Sequence, residues 1–139
     1  MATRATVKFI GIESYGEAER TLAQIYQHND GYPLVHGEFE GGMVEVIAAG
    51  LRKVPDGRPL GTVAAFVAAA LIESGREPRF EPADIEYGDT EFEYEVRRAR
   101  HSGSGFAIKV IDIRRRVCGE SADIELAGFA EDDSEAAAA

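Results

Sequence analysis

The segment Ile25–Pro33, with the sequence IYQHNDGYP, is the part of the chain around which the fold can be predicted. It continues an alternating run over Thr21–Gln27, a pattern that is typical of a β-strand. Asn29–Gly31 then ends the strand, because Asn, Asp and Gly favour turns, and Pro33 can open the next element. The same segment holds the densest group of chemically capable side chains in the sequence. We therefore expect a strand end and a candidate site at one place.

The sequence before this segment predicts a partner strand. Thr3–Ile10 alternates in hydrophobicity and is rich in β-branched residues, and Ser14–Glu17 is typical of a turn. A hairpin of the two strands follows as the natural pairing. In that hairpin Arg4 would approach the turn that contains His28.

Two helices are predicted after the segment. Gly42–Lys53 has apolar residues at intervals of four, and Leu60–Ser74 is followed by Gly75, a frequent helix stop. Because the second helix is apolar almost all round, we expect it to be buried in the core, with Phe66 among its core residues. It is shorter than the ~20 residues that a membrane span needs.

The second half of the chain is predicted to be rich in β-structure. Alternating residues begin at Ile85 and Tyr87, continue through Phe92–Val96, and return in Phe106–Val110 after the connection Gly103–Gly105. The first of these segments is acidic and the second ends in basic residues, so opposite charges on facing strands help to set their pairing. Residues 122–129 are predicted to add a last strand.

These elements define an α+β fold. We expect an antiparallel sheet of about five to six strands packed against two helices in one domain. The domain is predicted to cover residues 1–129, and the acidic residues 130–139 to form a disordered or frayed tail.

Composition limits the classes of function. The 139 residues carry 15 Lys and Arg against 25 Asp and Glu, a formal net charge of −10, which argues against direct DNA binding. The same charge suits a basic protein surface. A single cysteine, Cys118, excludes an internal disulfide, and the first residues do not form a secretory signal, so a cytoplasmic location is expected. The sequence leaves the oligomeric state open, including a homo-oligomer.

The His and acidic residues around the turn allow a metal site as one alternative. His28, Asp30, His36 and Glu38 offer imidazole and carboxylate ligands for a divalent ion, and a metal-dependent hydrolase that uses His28, Asp30 and His36 is one alternative. Their spacing matches no known metal motif, and Asp and Asn in such a segment also stabilise turns. No phosphate-binding loop or nucleophile motif accompanies them. We therefore assign no catalytic residue, metal or cofactor.

Two sets of residues are candidates for binding. Arg and Tyr together hold planar or phosphorylated groups, so a nucleotide-like ligand is one candidate at the first set. A basic protein partner is the candidate at the second set, an acidic strand. The first set is Arg4, Tyr26, His28, Asp30 and Tyr32, and the second is Glu91, Glu93 and Glu95.

Three sequence elements resemble a widespread family of small, mostly uncharacterised proteins carried by phages, prophages and other mobile elements. They are TRATV at residues 3–7, HNDGYP at residues 28–33, and IEY at residues 85–87 followed by FEYEV at residues 92–96. The similarity extends to about residue 110, while the intervening YGDTEF and the acidic tail depart from the family pattern. The resemblance implies an origin and transfers no catalytic residues.

A mobile-element origin implies a role in immune evasion. Small acidic phage proteins without enzyme motifs are often inhibitors of host defence. We therefore expect a non-enzymatic anti-defence protein of the host cytoplasm that binds and blocks a defence component, such as a CRISPR-type complex. Sequestration of a nucleotide-like signal and metal-dependent hydrolysis are the alternatives.

Overall fold

The computed structural model describes residues 3–12, 14–33, 41–98, 105–113 and 123–127. These residues form a single α+β domain, which confirms the predicted fold class. The elements are, in chain order, β1 (Ala5–Gly11), β2 (Arg20–Gln27), α1 (Met43–Arg52), α2 (Leu60–Glu73), β3 (Arg79–Glu81), β4 (Phe92–Arg98), β5 (Phe106–Asp112) and β6 (Asp123–Ala127).

The strands form a six-stranded sheet in the order β3-β2-β1-β4-β5-β6. The predicted hairpins β1–β2 and β4–β5 are both present as antiparallel pairs. The sheet is mixed rather than wholly antiparallel, because β1 and β4 pair in parallel. This pairing arises because the chain passes through both helices and β3 before it returns beside β1 in the same direction.

The helices cover one face of the sheet. α1 packs on α2, and α2 packs on β1 and β2. Side chains alternate between the two faces of a strand, so Val7 and Ile25 enter this core while their neighbours Lys8 and Tyr26 lie on the opposite face. The candidate site is built on that opposite face.

The prediction that α2 lies in the core rather than at the surface holds for only one side of the helix. Leu71 is fully buried, but the adjacent Ile72 is 62% exposed and Phe66 is only half-buried. A helix in a single layer over a sheet has an outer side, and the small residues Ala65 and Ala69 can face outward there at little cost. Within the described segments neither helix has the length and apolar character needed to cross a membrane.

The second half departs from prediction in two elements. Arg79–Glu81 forms a short strand that the sequence analysis did not predict, whereas Ile85–Tyr87, predicted as β-structure, contains no strand. The segment Pro82–Glu91 is instead a run of turns, which we call the strap. Several predicted features lie outside the described residues, namely most of the Gly103–Gly105 connection, His36, Glu38, Cys118 and the acidic tail.

Candidate functional site

The candidate site lies where the start of β1, the end of β2 and the start of β3 meet. The strand register places Ala5 opposite Gln27, so Arg4 and His28 leave adjacent strands at the same end of the sheet. Tyr26 is paired with Arg79 on the other side. The hairpin thus brings Arg4 close to the turn after β2, as the sequence predicted.

The strap covers this end of the sheet. The side-chain amide of the buried Gln24 donates hydrogen bonds of 2.8 Å to the carbonyl of Pro82 and 2.9 Å to the carbonyl of Ile85. Two backbone positions of the strap are therefore fixed by one side chain of β2. Lys8 contributes a second anchor, because its ammonium group lies 3.1 Å from the carboxylate of Glu86.

Asp89 of the strap closes the site. The hydroxyl of Tyr26 donates to Oδ2 of Asp89 at 3.2 Å, and Nε of Arg4 lies 3.4 Å from the same oxygen. Nδ1 of His28 lies 3.3 Å from the Tyr26 hydroxyl. Because that hydroxyl uses its one proton in the hydrogen bond to Asp89, its oxygen can accept a hydrogen bond from Nδ1–H of His28. The result is a chain of polar groups that runs from His28 to Asp89.

Aromatic and cationic groups pack around Tyr26. The ring of Tyr87 lies 4.8 Å from the ring of Tyr26, and the guanidinium of Arg79 lies 5.0 Å from its centroid. Burial raises the pKa of Tyr26, and its hydrogen bond to Asp89 raises it further. The pKa of Tyr87 is raised by a hydrogen bond to Glu81. Both shifts favour the neutral, donating form of the phenol.

The acidic strand is largely satisfied within the chain. The side chains of Glu93 and Glu95 are only 17% and 15% exposed, and they pair with Lys8 at 3.3 Å and with Arg97 at 2.9 Å. Glu91 is half-buried and also takes part in an internal interaction. The carboxylates expected to face a basic partner therefore point largely at cations of their own sheet.

Charge and burial oppose each other around Lys8. Burial alone would lower its pKa, but Glu93 and Glu86 outweigh burial and the pKa of Lys8 is raised. The pKa of Glu93 is also raised, first by burial and then by a hydrogen bond with Glu95, although Lys8 acts to lower it. Lys8 therefore offsets part of the cost of holding the Glu93 carboxylate in a largely buried position.

Asp30 acts through its backbone. It has a positive φ of 60°, a conformation that Asp tolerates better than most residues, and its side chain is exposed. Its carbonyl accepts a hydrogen bond of 2.9 Å from Nε of Arg76. The buried Arg76 also donates to the carbonyl of Gly41, and burial lowers its pKa. Asp30 thus shapes the turn that follows the site.

Tyr32 lies apart from the polar chain. Its ring packs at 5.9 Å against Phe92, a core residue of β4, and it is 48% exposed. Of the predicted binding residues, the structure therefore brings Arg4, Tyr26 and His28 together. Tyr32 lies beyond the turn and packs against Phe92 instead.

Sequence reasoning missed four residues that complete the site: Lys8, Arg79, Tyr87 and Asp89. Lys8 could have been found from the alternation of β1, which places a charged residue on the polar face of a central strand. The positions of Tyr87 and Asp89 depend on the strap crossing the sheet, and no local pattern indicates that crossing.

The described residues offer no geometry that supports the metal-site alternative. No group of three or more His, Cys, Asp or Glu side chains suited to hold a metal ion occurs among them, and His36 lies outside them.

Comparisons with protein-family models, curated proteins and solved structures found no match for the chain.

Proposed function

We propose that this protein is a non-enzymatic binding protein of a phage or other mobile element that blocks a component of host defence in the host cytoplasm. The observation that carries the proposal is an exposed apolar side chain on the strap that has partly exposed carboxylates beside it in the chain. Ile85 is 42% exposed, the side chains of Glu86 and Asp89 are 81% and 53% exposed, and Asp84, directly before Ile85 in the chain, is also exposed.

The form of the strap supports a protein partner. Binding interfaces place apolar anchors at their centre and polar groups at their rim. Gln24 holds the backbone carbonyls of Pro82 and Ile85, so Ile85 is presented from a fixed turn and little order need be created on binding. The carboxylates around it and the net charge of −10 favour a partner surface rich in Lys and Arg.

The chemistry around His28 supports binding rather than catalysis. His28 contacts the Tyr26 hydroxyl, that hydroxyl points at the Asp89 carboxylate, and burial raises the pKa of the hydroxyl further above neutral pH. These groups hold and orient a partner by hydrogen bonding. A phenol held neutral in this way is a poor nucleophile.

A test of the proposal compares two matched isoleucines. The wild-type protein, Ile85→Asp and Ile72→Asp are each expressed in host strains that carry defined defence systems, and phage plating is counted. Ile72 is also exposed, but it lies on α2, on the face opposite the strap. We expect the wild type and Ile72→Asp to restore plating by the same factor, and Ile85→Asp to lose most of that effect.

The outcomes distinguish a failure of the proposed anti-defence role from a failure of the strap as the contact surface. If the wild type restores plating on no defended strain, the proposed anti-defence role fails. If Ile85→Asp restores plating as well as the wild type, the role stands but the strap is not the contact surface. Purification of the tagged wild type from a responsive strain, with Ile85→Asp as the negative control, then identifies the blocked component.

A further inference from the structure

Asp89 fills a position suited to an oxygen of an anionic ligand. Its Oδ2 receives the Tyr26 hydroxyl at 3.2 Å and lies 3.4 Å from Nε of Arg4. A guanidinium and a phenol that converge on one oxygen are also the donors that hold phosphate. Arg4 and Tyr26 belong to the hairpin framework, whereas Asp89 is carried on the strap directly after Gly88.

The contact that Asp89 makes is loose. Charge-assisted hydrogen bonds are usually shorter than these two distances, and the Asp89 side chain is 53% exposed. Nε of Arg4 is shielded from solvent, yet within the described residues it makes no hydrogen bond of good geometry. The donors at this site are thus only partly used by the carboxylate that occupies it.

The surrounding groups fit a phosphate ester. His28 is exposed, and its Nδ1 lies 3.3 Å from the Tyr26 hydroxyl, at the edge of the site. Arg79 adds a second cation 5.0 Å from the Tyr26 ring, although it is paired with Glu81 at 3.2 Å. Tyr87 lies against Tyr26 and supplies an aromatic surface beside the donors.

We propose that Arg4, Tyr26 and His28 form a binding site for a phosphate group and that Asp89 occupies this site as an internal plug when no ligand is bound. A phosphate oxygen takes the position of Oδ2, accepts the hydrogen bond of the Tyr26 hydroxyl and pairs with Arg4, while Asp89 moves into solvent. A phosphate monoester has three terminal oxygens and inorganic phosphate has four, so a further oxygen can also reach His28. The site goes beyond the proposed blocking of a protein partner and does not depend on it.

The strength of the contact that Asp89 makes determines how much Asp89 should reduce the apparent affinity for phosphate. A partly exposed ion pair is a weak contact, so displacing Asp89 should reduce the apparent affinity for phosphate by about three- to tenfold. Removing the charge of Asp89 should raise the apparent affinity for phosphate by the same factor. Asp84→Asn is the matched control, because it removes one negative charge from an exposed position of the same strap.

The experiment is a titration followed by amide NMR on the full chain. Inorganic phosphate and AMP are added separately, at constant ionic strength, to the wild type, Asp89→Asn, Asp84→Asn, Arg4→Gln and His28→Asn. We expect both probes to shift the amide signals of Gly88–Thr90 in the wild type. Asp89→Asn should bind both probes about three- to tenfold more tightly, Asp84→Asn should match the wild type, and the Arg4 and His28 variants should bind more weakly.

Each outcome decides the proposal. Tighter binding by AMP than by phosphate supports the site and adds a contact from the nucleoside, whereas equal binding supports a site for the phosphate group alone. If Asp84→Asn gains as much affinity as Asp89→Asn, the gain is a net-charge effect and the plug is refuted. Unchanged binding by both Arg4→Gln and His28→Asn refutes the site. Should Arg4→Gln fail to fold, His28→Asn and the wild-type shifts at Gly88–Thr90 still decide it.

Discussion

The hydroxyl of Tyr94 donates a hydrogen bond of 2.7 Å to the carbonyl of Gly31. Tyr94 is fully buried in β4, so this bond ties the core to the turn that follows the candidate site. On the other side of the same residue, the Gly31 amide donates to the carbonyl of Thr3 at 3.0 Å. The position of the turn is therefore determined by the core and by the entry to β1, whatever the site binds.

Replacing Tyr94 with Phe should destabilise the fold by about 1–3 kcal/mol, because the carbonyl of Gly31 loses its buried donor. Urea unfolding followed by circular dichroism at neutral pH measures this loss. Tyr15→Phe is the control, since Tyr15 is fully exposed, and its free energy of unfolding should match that of the wild type. Equal stabilities of Tyr94→Phe and the wild type would show that the bond contributes nothing net.

Tyr94→Phe should also change how the stability of the fold depends on pH in the alkaline range. Burial raises the pKa of Tyr94 well above its ordinary value of 10.0. A tyrosine whose pKa is raised by folding contributes stability that is present below the unfolded pKa and is lost as the pH rises through the folded pKa. The wild type should therefore lose stability above pH 10, and Tyr94→Phe should lose less over the same interval. Unfolding curves between pH 9 and 11 give the two slopes.

Gly31 leaves no room for a side chain. A Cβ added there would lie 2.7 Å from the carbonyl oxygen of Thr3 and 2.8 Å from the Cβ of Ala5, so backbone must move. Gly31→Ala should cost about 1–3 kcal/mol, as overpacking does in a closed core. Gly88→Ala is the control, because a Cβ at that position meets nothing within 4 Å. A destabilisation of Gly88→Ala equal to that of Gly31→Ala would contradict the steric argument.

The elements that could be predicted are those whose signals are local. Alternation over β1 and β2 and the intervening turn gave the hairpin, and the period of four and Gly75 gave the helices. Gly75 indeed has a positive φ of 93° after α2. The parallel pairing of β1 with β4 could not be predicted, because it depends on how the chain returns after the helices. β3 has only three residues, too few for an alternating pattern.

The residues of the candidate site likewise differ in whether local sequence signals could predict their positions. Arg4 and His28 could be placed together because the register of one hairpin relates them. Asp89 could not be placed, because the strap reaches the site through tertiary contacts with Gln24 and Lys8. The pattern of β4 gave alternating Glu residues correctly, but it could not show that Glu93 faces Lys8 on the neighbouring strand. The sequence analysis therefore placed the acidic contact surface on β4, whereas the more exposed carboxylates lie on the strap.

Two adjacent residues of α2 test which side of the helix is buried. Leu71 is fully buried and Ile72 is 62% exposed. Leu71→Ala should cost about 2–5 kcal/mol, because it leaves a cavity between the helices and the sheet. Ile72→Ala should change stability by less than about 0.5 kcal/mol, as surface substitutions do. Similar losses for the two variants in thermal or urea unfolding would mean that α2 is packed on both sides.

Lys8 is expected to be the most important cation of the sheet for stability. Its side chain is 9% exposed and lies 3.3 Å from Glu93, whose own side chain is 17% exposed. Lys8→Met keeps the length of the side chain but leaves Glu93 next to Glu95 without the neighbouring ammonium group. We expect a loss of about 1–3 kcal/mol at pH 7, less than for a fully buried pair, because Glu86 is largely exposed. Lys53→Met is the control, since Lys53 and Glu73 form an exposed pair and should contribute little.

The loss caused by Lys8→Met should depend on pH with a definite sign. The pKa of Glu93 is already raised by burial and by Glu95, and removing Lys8 removes the influence that lowers it. A carboxyl whose pKa is raised by folding favours the folded state below its unfolded pKa and opposes it as the pH rises. The difference in stability between Lys8→Met and the wild type should therefore be largest near pH 7, shrink as the pH falls through the raised pKa of Glu93, and be smallest below the ordinary Glu value of 4.5. Urea unfolding at pH 7 and pH 4 measures it, and a gap that stays constant or widens in acid would show that Lys8 acts through packing of its methylene chain rather than through its charge.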